Sequence, residues 1–188
     1  EQNPTCEQEE RDKEYFLKFL NTFDDQPIAI KRQNKKVLDI VANLLNEYEE
    51  NILNVNPDVI TIFIGMNDVW HHFAKGVETT NEEFEYNFKT VLEKIKNDLD
   101  VPVIIIEPFI IDITPELTIM RSELWQKVDI IRRLAREYAS EYIALDGSFA
   151  SACIKHDPTY YSLDGVHPTE EGHKFIARRW LRNIIVED

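Results

Sequence analysis

At 188 residues and 43% hydrophobic, the chain is the size of one domain and can bury most of the surface it exposes when unfolded. Its 35 acidic against 21 basic residues leave a formal charge of -14, which repels phosphate backbones and anionic headgroups and argues against nucleic-acid or membrane-surface partners. No apolar run approaches the roughly 18 residues of a membrane span. The start Glu1 to Glu10 lacks the basic and apolar regions of a signal peptide, and Cys6 and Cys153 have neither zinc nor disulfide spacing. The expectation is a soluble, cytoplasmic protein with free thiols and no metal or cofactor.

Residues 1–24 are strongly charged, with one helix expected over Tyr15, Phe16, Phe19 and Leu20. Pro27 to Ile30 is a short strand candidate. Val37, Ile40, Val41, Leu44, Leu45, Tyr48 and Ile52 then recur with helical period over about 18 residues and define one apolar face. Val59 to Ile64 and Val101 to Ile106 are β-branched runs without polar alternation, as expected of strands buried on both faces. Between them, Thr80 and Glu83 read as a capping box opening a helix with Phe84, Phe88, Val91 and Ile95 on one face. Leu124, Val128, Ile131, Ala135 and Tyr138 mark a long helix, Tyr142 to Leu145 a further strand, and Phe175, Ile176 and Trp180 the last helix. Strands alternating with helices predict an α/β fold, a parallel sheet with helices on both faces. No repeat or linker divides the chain, so 1–188 reads as a single domain with 1–36 divergent.

Two short stretches carry the chemistry. Gly65-Met66-Asn67-Asp68 follows the strand ending at Ile64, at the carboxyl edge where open parallel sheets bind ligands. A glycine there allows a sharp turn that presents the Asn67 amide to a developing oxyanion; the plainer alternative is a tight turn stabilised by Asn67 and Asp68. Asp164 and His167 are separated by two residues ahead of the last helix, so one turn can set carboxylate against imidazole and make a base. A solvated loop with Pro168 starting the helix is the other reading. His71, His72, His156 and His173 suit exposed or capping roles, and adjacent His71 and His72 do not make a metal site.

Together these motifs resemble the SGNH hydrolases, or GDSL esterases, from about Val37 to Asp188. Pro57 to Trp70 is similar to the family's third block, and Asp164-Gly165-Val166-His167-Pro168-Thr169 with Gly172-His173 and Trp180-Leu181 is similar to its small acetylesterases. The resemblance implies a flavodoxin-like three-layer α/β/α sandwich with sheet order 2-1-3-4-5. It further implies His167 as base, Asp164 as its orienter, Asn67 as oxyanion donor and Gly65 and Asp68 as residues shaping the site. The substrate implied is a small acyl ester, on carbohydrate or another alcohol, although a non-catalytic relative binding a carbohydrate or acyl ligand fits the same motifs.

The departures are as informative. The family's nucleophile is the serine of an N-terminal Gly-Asp-Ser block, yet the first 121 residues contain no serine and the first 64 no glycine. The nucleophile is therefore unknown; Thr5, Cys6, Ser148, Ser151 and Ser162 are the available substitutes, and activity is expected to be impaired. The family's first, central strand also has no counterpart. Strands lie about 4.8 Å apart, so its loss leaves a slot and an exposed edge through which self-association is expected. A truncated or rearranged N-terminus would account for both departures. Specificity is expected in the segments Trp70 to Thr80 and Phe109 to Thr118.

Overall fold

A computed structural model of the chain describes residues 44, 45 and 47–184, all within the unit Val37–Asp188. The candidate strand Pro27 to Ile30, the N-terminal helix, Thr5, Cys6 and most of the helix predicted from Val37 lie outside the described residues. What is described of that helix follows its predicted face. Tyr48 and Ile52 are buried, with Leu44 and Leu45 packed against the same core, around a helical turn α1 (Tyr48–Asn51).

Three short strands form a parallel sheet in the order β1 (Ile60–Phe63), β2 (Val103–Ile106), β3 (Glu141–Ile143). Ile60 to Phe63 pair with Val103 to Ile106, and Ile104 to Ile106 pair with Glu141 to Ile143. These are the last three strands of the expected 2-1-3-4-5 order. All four residues of β2 are buried, because successive side chains leave opposite faces of a strand and both faces are covered here.

On one face, Ile60, Ile62, Val103 and Ile105 pack with Phe84, Phe88, Val91 and Ile95 of α3 (Asn81–Asp98) and Ile131, Leu134 and Ala135 of α4 (Pro115–Tyr138). On the other, Ile104, Ile106 and Ile143 meet Phe149 of α5 (Asp146–Ala152) and the half-buried Phe175, Ile176 and Trp180 of α6 (Glu170–Ile184). This is the three-layer α/β/α arrangement. The capping box forms as predicted, with Thr80 Oγ1 accepting from Glu83 N–H and Glu83 accepting from Thr80 N–H. Burying each such Ile or Phe contributes about 1.5–3 kcal/mol, against at most about 1 kcal/mol for exposed ion pairs such as Arg133–Glu85, so the apolar layers dominate.

Two segments depart from the sequence reading. Residues 66–75, expected as a turn running into a loop, form a helix, α2 (Met66–Lys75). Pro168 does not start the last helix. It bridges back to Ser162, and α6 begins at Glu170.

Beneath the carboxyl edge lies a buried polar network. Glu107, fully buried just past β2, accepts from Arg132 (Nε 3.0 Å, Nη2 2.8 Å), the Tyr142 hydroxyl and Asp146 N–H (3.1 Å). Arg121 reaches both carboxylate oxygens of Asp146 at 2.8 Å, Asp112 at 2.9 Å and the Ile110 carbonyl, fixing the chain between β2 and α4. Removing one member of a buried charged pair leaves its partners unsatisfied, whereas an exposed pair is replaced by water. Because Arg132 is half exposed and can recover water contacts, Glu107→Ala is expected to cost about 3 kcal/mol, near the lower end for such changes. Arg133→Ala should cost under about 1 kcal/mol. Urea denaturation of both variants checks the ordering; equal costs would contradict the structure.

Candidate active site

Gly65 ends β1's path and opens α2 with φ of +109°, a conformation that side-chain-bearing residues rarely adopt. The turn is tight as well as left-handed: a Cβ there would sit 3.3 Å from both Ile131 Cδ1 and Pro108 Cγ. It places Asn67 in the first turn of α2 at the carboxyl edge. The Asn67 side chain is exposed, with no hydrogen-bond partner among the described residues, and it projects where backbone N–H dipoles also favour negative charge. Asp68 turns the other way. It is buried at 1% exposure, and its charge acts on the buried Lys127, whose ammonium burial pushes downward while Asp68 and Glu123 push it back up.

Asp164 and His167 meet as the spacing predicts. His167 Nδ1 lies 2.6 Å from Asp164 Oδ2, while Asp164 Oδ1 accepts from Val166 N–H at 3.0 Å and His167 N–H at 2.8 Å. Partial burial works to raise the Asp164 carboxyl, but the His167 N–H, the His167 ring and the Val166 N–H outweigh it and hold the group at about 2. An ionised carboxylate only accepts hydrogen bonds, so His167 Nδ1 must donate, and the lone pair of the neutral ring is on Nε2. With the His167 side chain 75% exposed, that nitrogen is open to an incoming hydroxyl.

The loop carrying this pair is anchored from below. Gly165 has φ of +85°, and a Cβ there would lie 2.4 Å from Leu117 Cδ1 and 2.5 Å from the Ile111 carbonyl oxygen. Its own carbonyl accepts from Ile111 N–H at 2.8 Å. Val166 is buried among Val69 of α2, Ile110, and Leu117, Met120, Leu124 and Val128 of α4. The same cluster therefore holds α2, which bears Asn67, and the Asp164–His167 loop. Trp70, one turn after Asn67, brings its ring to 6.4 Å from the His167 ring with the planes at 76°.

Of the candidate nucleophiles, Ser162 is fully buried and its hydroxyl faces the His167 carbonyl (2.8 Å) and Asp164 Oδ1 (3.2 Å), away from the imidazole nitrogen that could activate it. Its observed role is to hold the loop. Ser148 donates to the Ala144 carbonyl at 2.6 Å. Among the described residues no hydroxyl or thiol is hydrogen-bonded to the His167 ring. Three of the other histidines have different surroundings. His72 bonds Glu123 at 2.7 Å, which raises its pKa, His156 stacks on Tyr160, and His71 is buried rather than exposed. No group of three or more metal-binding side chains occurs among the described residues, and no described helix is long and apolar enough to cross a membrane. Trp70 is the site residue that the motifs did not assign a role, while Ser162, named as a possible nucleophile, serves locally instead. Helical spacing from Asn67 would have flagged Trp70.

A parallel α/β sheet carrying an asparagine at the head of a helix and a carboxylate-supported imidazole on a neighbouring loop has the layout of an acyl hydrolase. The chain belongs to the GDSL-like lipase/acylhydrolase family, whose profile matches residues 34–175. It is 28% identical to an acetylxylan esterase of Geobacillus stearothermophilus over 162 residues, 84% of this chain and 73% of that protein. A crystal structure of that esterase superposes with a TM-score of 0.70, covering 80% of this chain and 69% of the other. A candidate GDSL-like lipase of Parabacteroides merdae superposes at 0.71, with 27% identity over 77% of this chain and 68% of its own.

Because the folded-state pKa of Asp164 lies below its ordinary value of 3.8, its stabilising contribution is fully present above that value and is lost as pH falls through about 2. The stability difference between the wild type and Asp164→Asn should therefore be level above about pH 5 and shrink between about pH 4 and 2. Chemical denaturation across that range checks it. A difference that stays constant to pH 2 would show that the carboxylate is not held by these hydrogen bonds.

Proposed function

We propose that this chain is an ester hydrolase of the acetylesterase type, acting on acetyl groups carried by carbohydrate. The observation that carries the reading is the Asp164–His167 pair, with Nδ1 committed to the carboxylate at 2.6 Å and Nε2 facing outward. The Geobacillus stearothermophilus relative supports it. Its catalytic variants include alanine substitutions of a serine, of an aspartate and of a histidine three positions after that aspartate, the spacing of Asp164 and His167.

In this reading His167 Nε2 takes the proton of the attacking hydroxyl and later returns it to the leaving alcohol oxygen. Asp164 holds the ring in the working tautomer and stabilises the imidazolium. Asn67 donates its side-chain N–H to the oxygen that becomes negative as the ester carbonyl turns tetrahedral, helped by the positive end of α2. The attacking hydroxyl is a nucleophile outside the described residues or a water. A water would forgo the covalent route, so the activity of a chain lacking a nucleophilic serine is impaired.

A second reading is favoured by one observation: no described hydroxyl or thiol bonds the His167 ring. The site then binds an acyl or carbohydrate ligand without turnover.

Hydrolysis of p-nitrophenyl acetate separates the two. In the catalytic reading His167→Ala loses about 10² to 10⁴ in rate and Asn67→Ala about 10² to 10³. A wild-type rate no higher than that of His167→Ala would leave only the binding reading.

A further inference from the structure

Trp70 occupies a position that the chemistry of His167 makes significant. It is half-buried, with part of the indole packed against the cluster of Val69, Ile110 and Val166 and the rest open beside His167. With Nδ1 tied to Asp164, an ester that uses this base must bring its leaving-group oxygen to about 3 Å from Nε2. The carbon skeleton of the alcohol extends onward from that oxygen. With the two rings only 6.4 Å apart, a leaving group larger than a few atoms meets the indole. A sugar ring presents a face of C–H bonds, which suits the electron-rich face of a large, rigid aromatic.

We propose that Trp70 is the platform for the sugar ring of the leaving group, and so sets specificity for the alcohol side of the ester. The proposal rests on the acetylesterase reading above. Asn67 and Trp70, one turn apart on α2, then serve opposite sides of the same bond: the first addresses the acyl oxygen, the second the alcohol.

The test uses full-length chains carrying Trp70→Leu, which keeps apolar bulk against the cluster, and Trp70→Phe, which keeps an aromatic face. On acetylated xylo-oligosaccharide, Trp70→Leu should raise KM about tenfold more than it does on methyl acetate, whose alcohol is too small to reach the indole, while Trp70→Phe retains most of the preference. Equal losses on both esters would overturn the proposal, leaving Trp70 as a residue that only steadies His167. Calorimetric titration with unacetylated xylotriose reads the platform independently of turnover. Affinity about tenfold weaker in Trp70→Leu supports it, and unchanged affinity, or no binding by the wild type, overturns it. Hydrolysis no faster than His167→Ala, combined with Trp70-dependent xylotriose binding, would sink the catalytic reading and leave the platform standing.

Discussion

The site depends on the burial of Val166. An exposed dipeptide between Asp164 and His167 would let the loop sample many conformations, and a carboxylate–imidazole contact at the surface would gain little against the entropy of ordering it. Val166 removes that freedom by inserting among Val69, Ile110, Leu117 and Leu124. Gly165 permits the insertion, since its left-handed backbone and its approach to the Ile111 carbonyl leave no space for a side chain. The residues on either side are thereby presented upward together. Because Val69 belongs to α2, the same apolar contacts fix the helix that carries Asn67, so the acidic, basic and amide groups share one support.

Electrostatics act within that frame. Asp164 loses some hydration, which alone would favour its neutral form, yet two backbone N–H groups and the ring N–H keep it ionised. The fixed charge dictates the His167 tautomer, and the tautomer dictates which nitrogen can accept a proton. Glu107 works on a different scale. It is fully buried and satisfied by Arg132, Tyr142 and the Asp146 N–H, and it locks the end of β2 to the start of α5. It secures the platform on which the loops stand without facing the solvent at the site.

Legibility in the sequence followed the type of force involved. The strands at Ile60 and Val103 were readable because burial on both faces demands uninterrupted β-branched runs, and α3 because Thr80 and Glu83 announce its start. Asp164 and His167 were readable because a three-residue spacing puts them within reach of each other, whereas the burial of Val166 that holds them there was not. The helix α2 was not: its start is set by the backbone of Gly65 rather than by a capping side chain, and Val69 is its only fully buried apolar residue. Trp70 was also hidden in its role. It acquires its neighbour His167 through tertiary structure, by the packing of α2 beside the loop.

The structure brings a carboxylate-supported imidazole and an amide at a helix head to one edge of the sheet, and among the described residues no hydroxyl or thiol is hydrogen-bonded to that imidazole. The catalytic reading rests on Asp164 directing the proton of the neutral His167 ring to Nδ1. Nitrogen NMR of the imidazole, in the wild type and in Asp164→Asn, measures this directly. In the neutral wild-type ring Nδ1 should be protonated and Nε2 unprotonated, with that preference weakened in the variant. A ring protonated on Nε2, or a tautomer indifferent to Asp164, would contradict the catalytic reading.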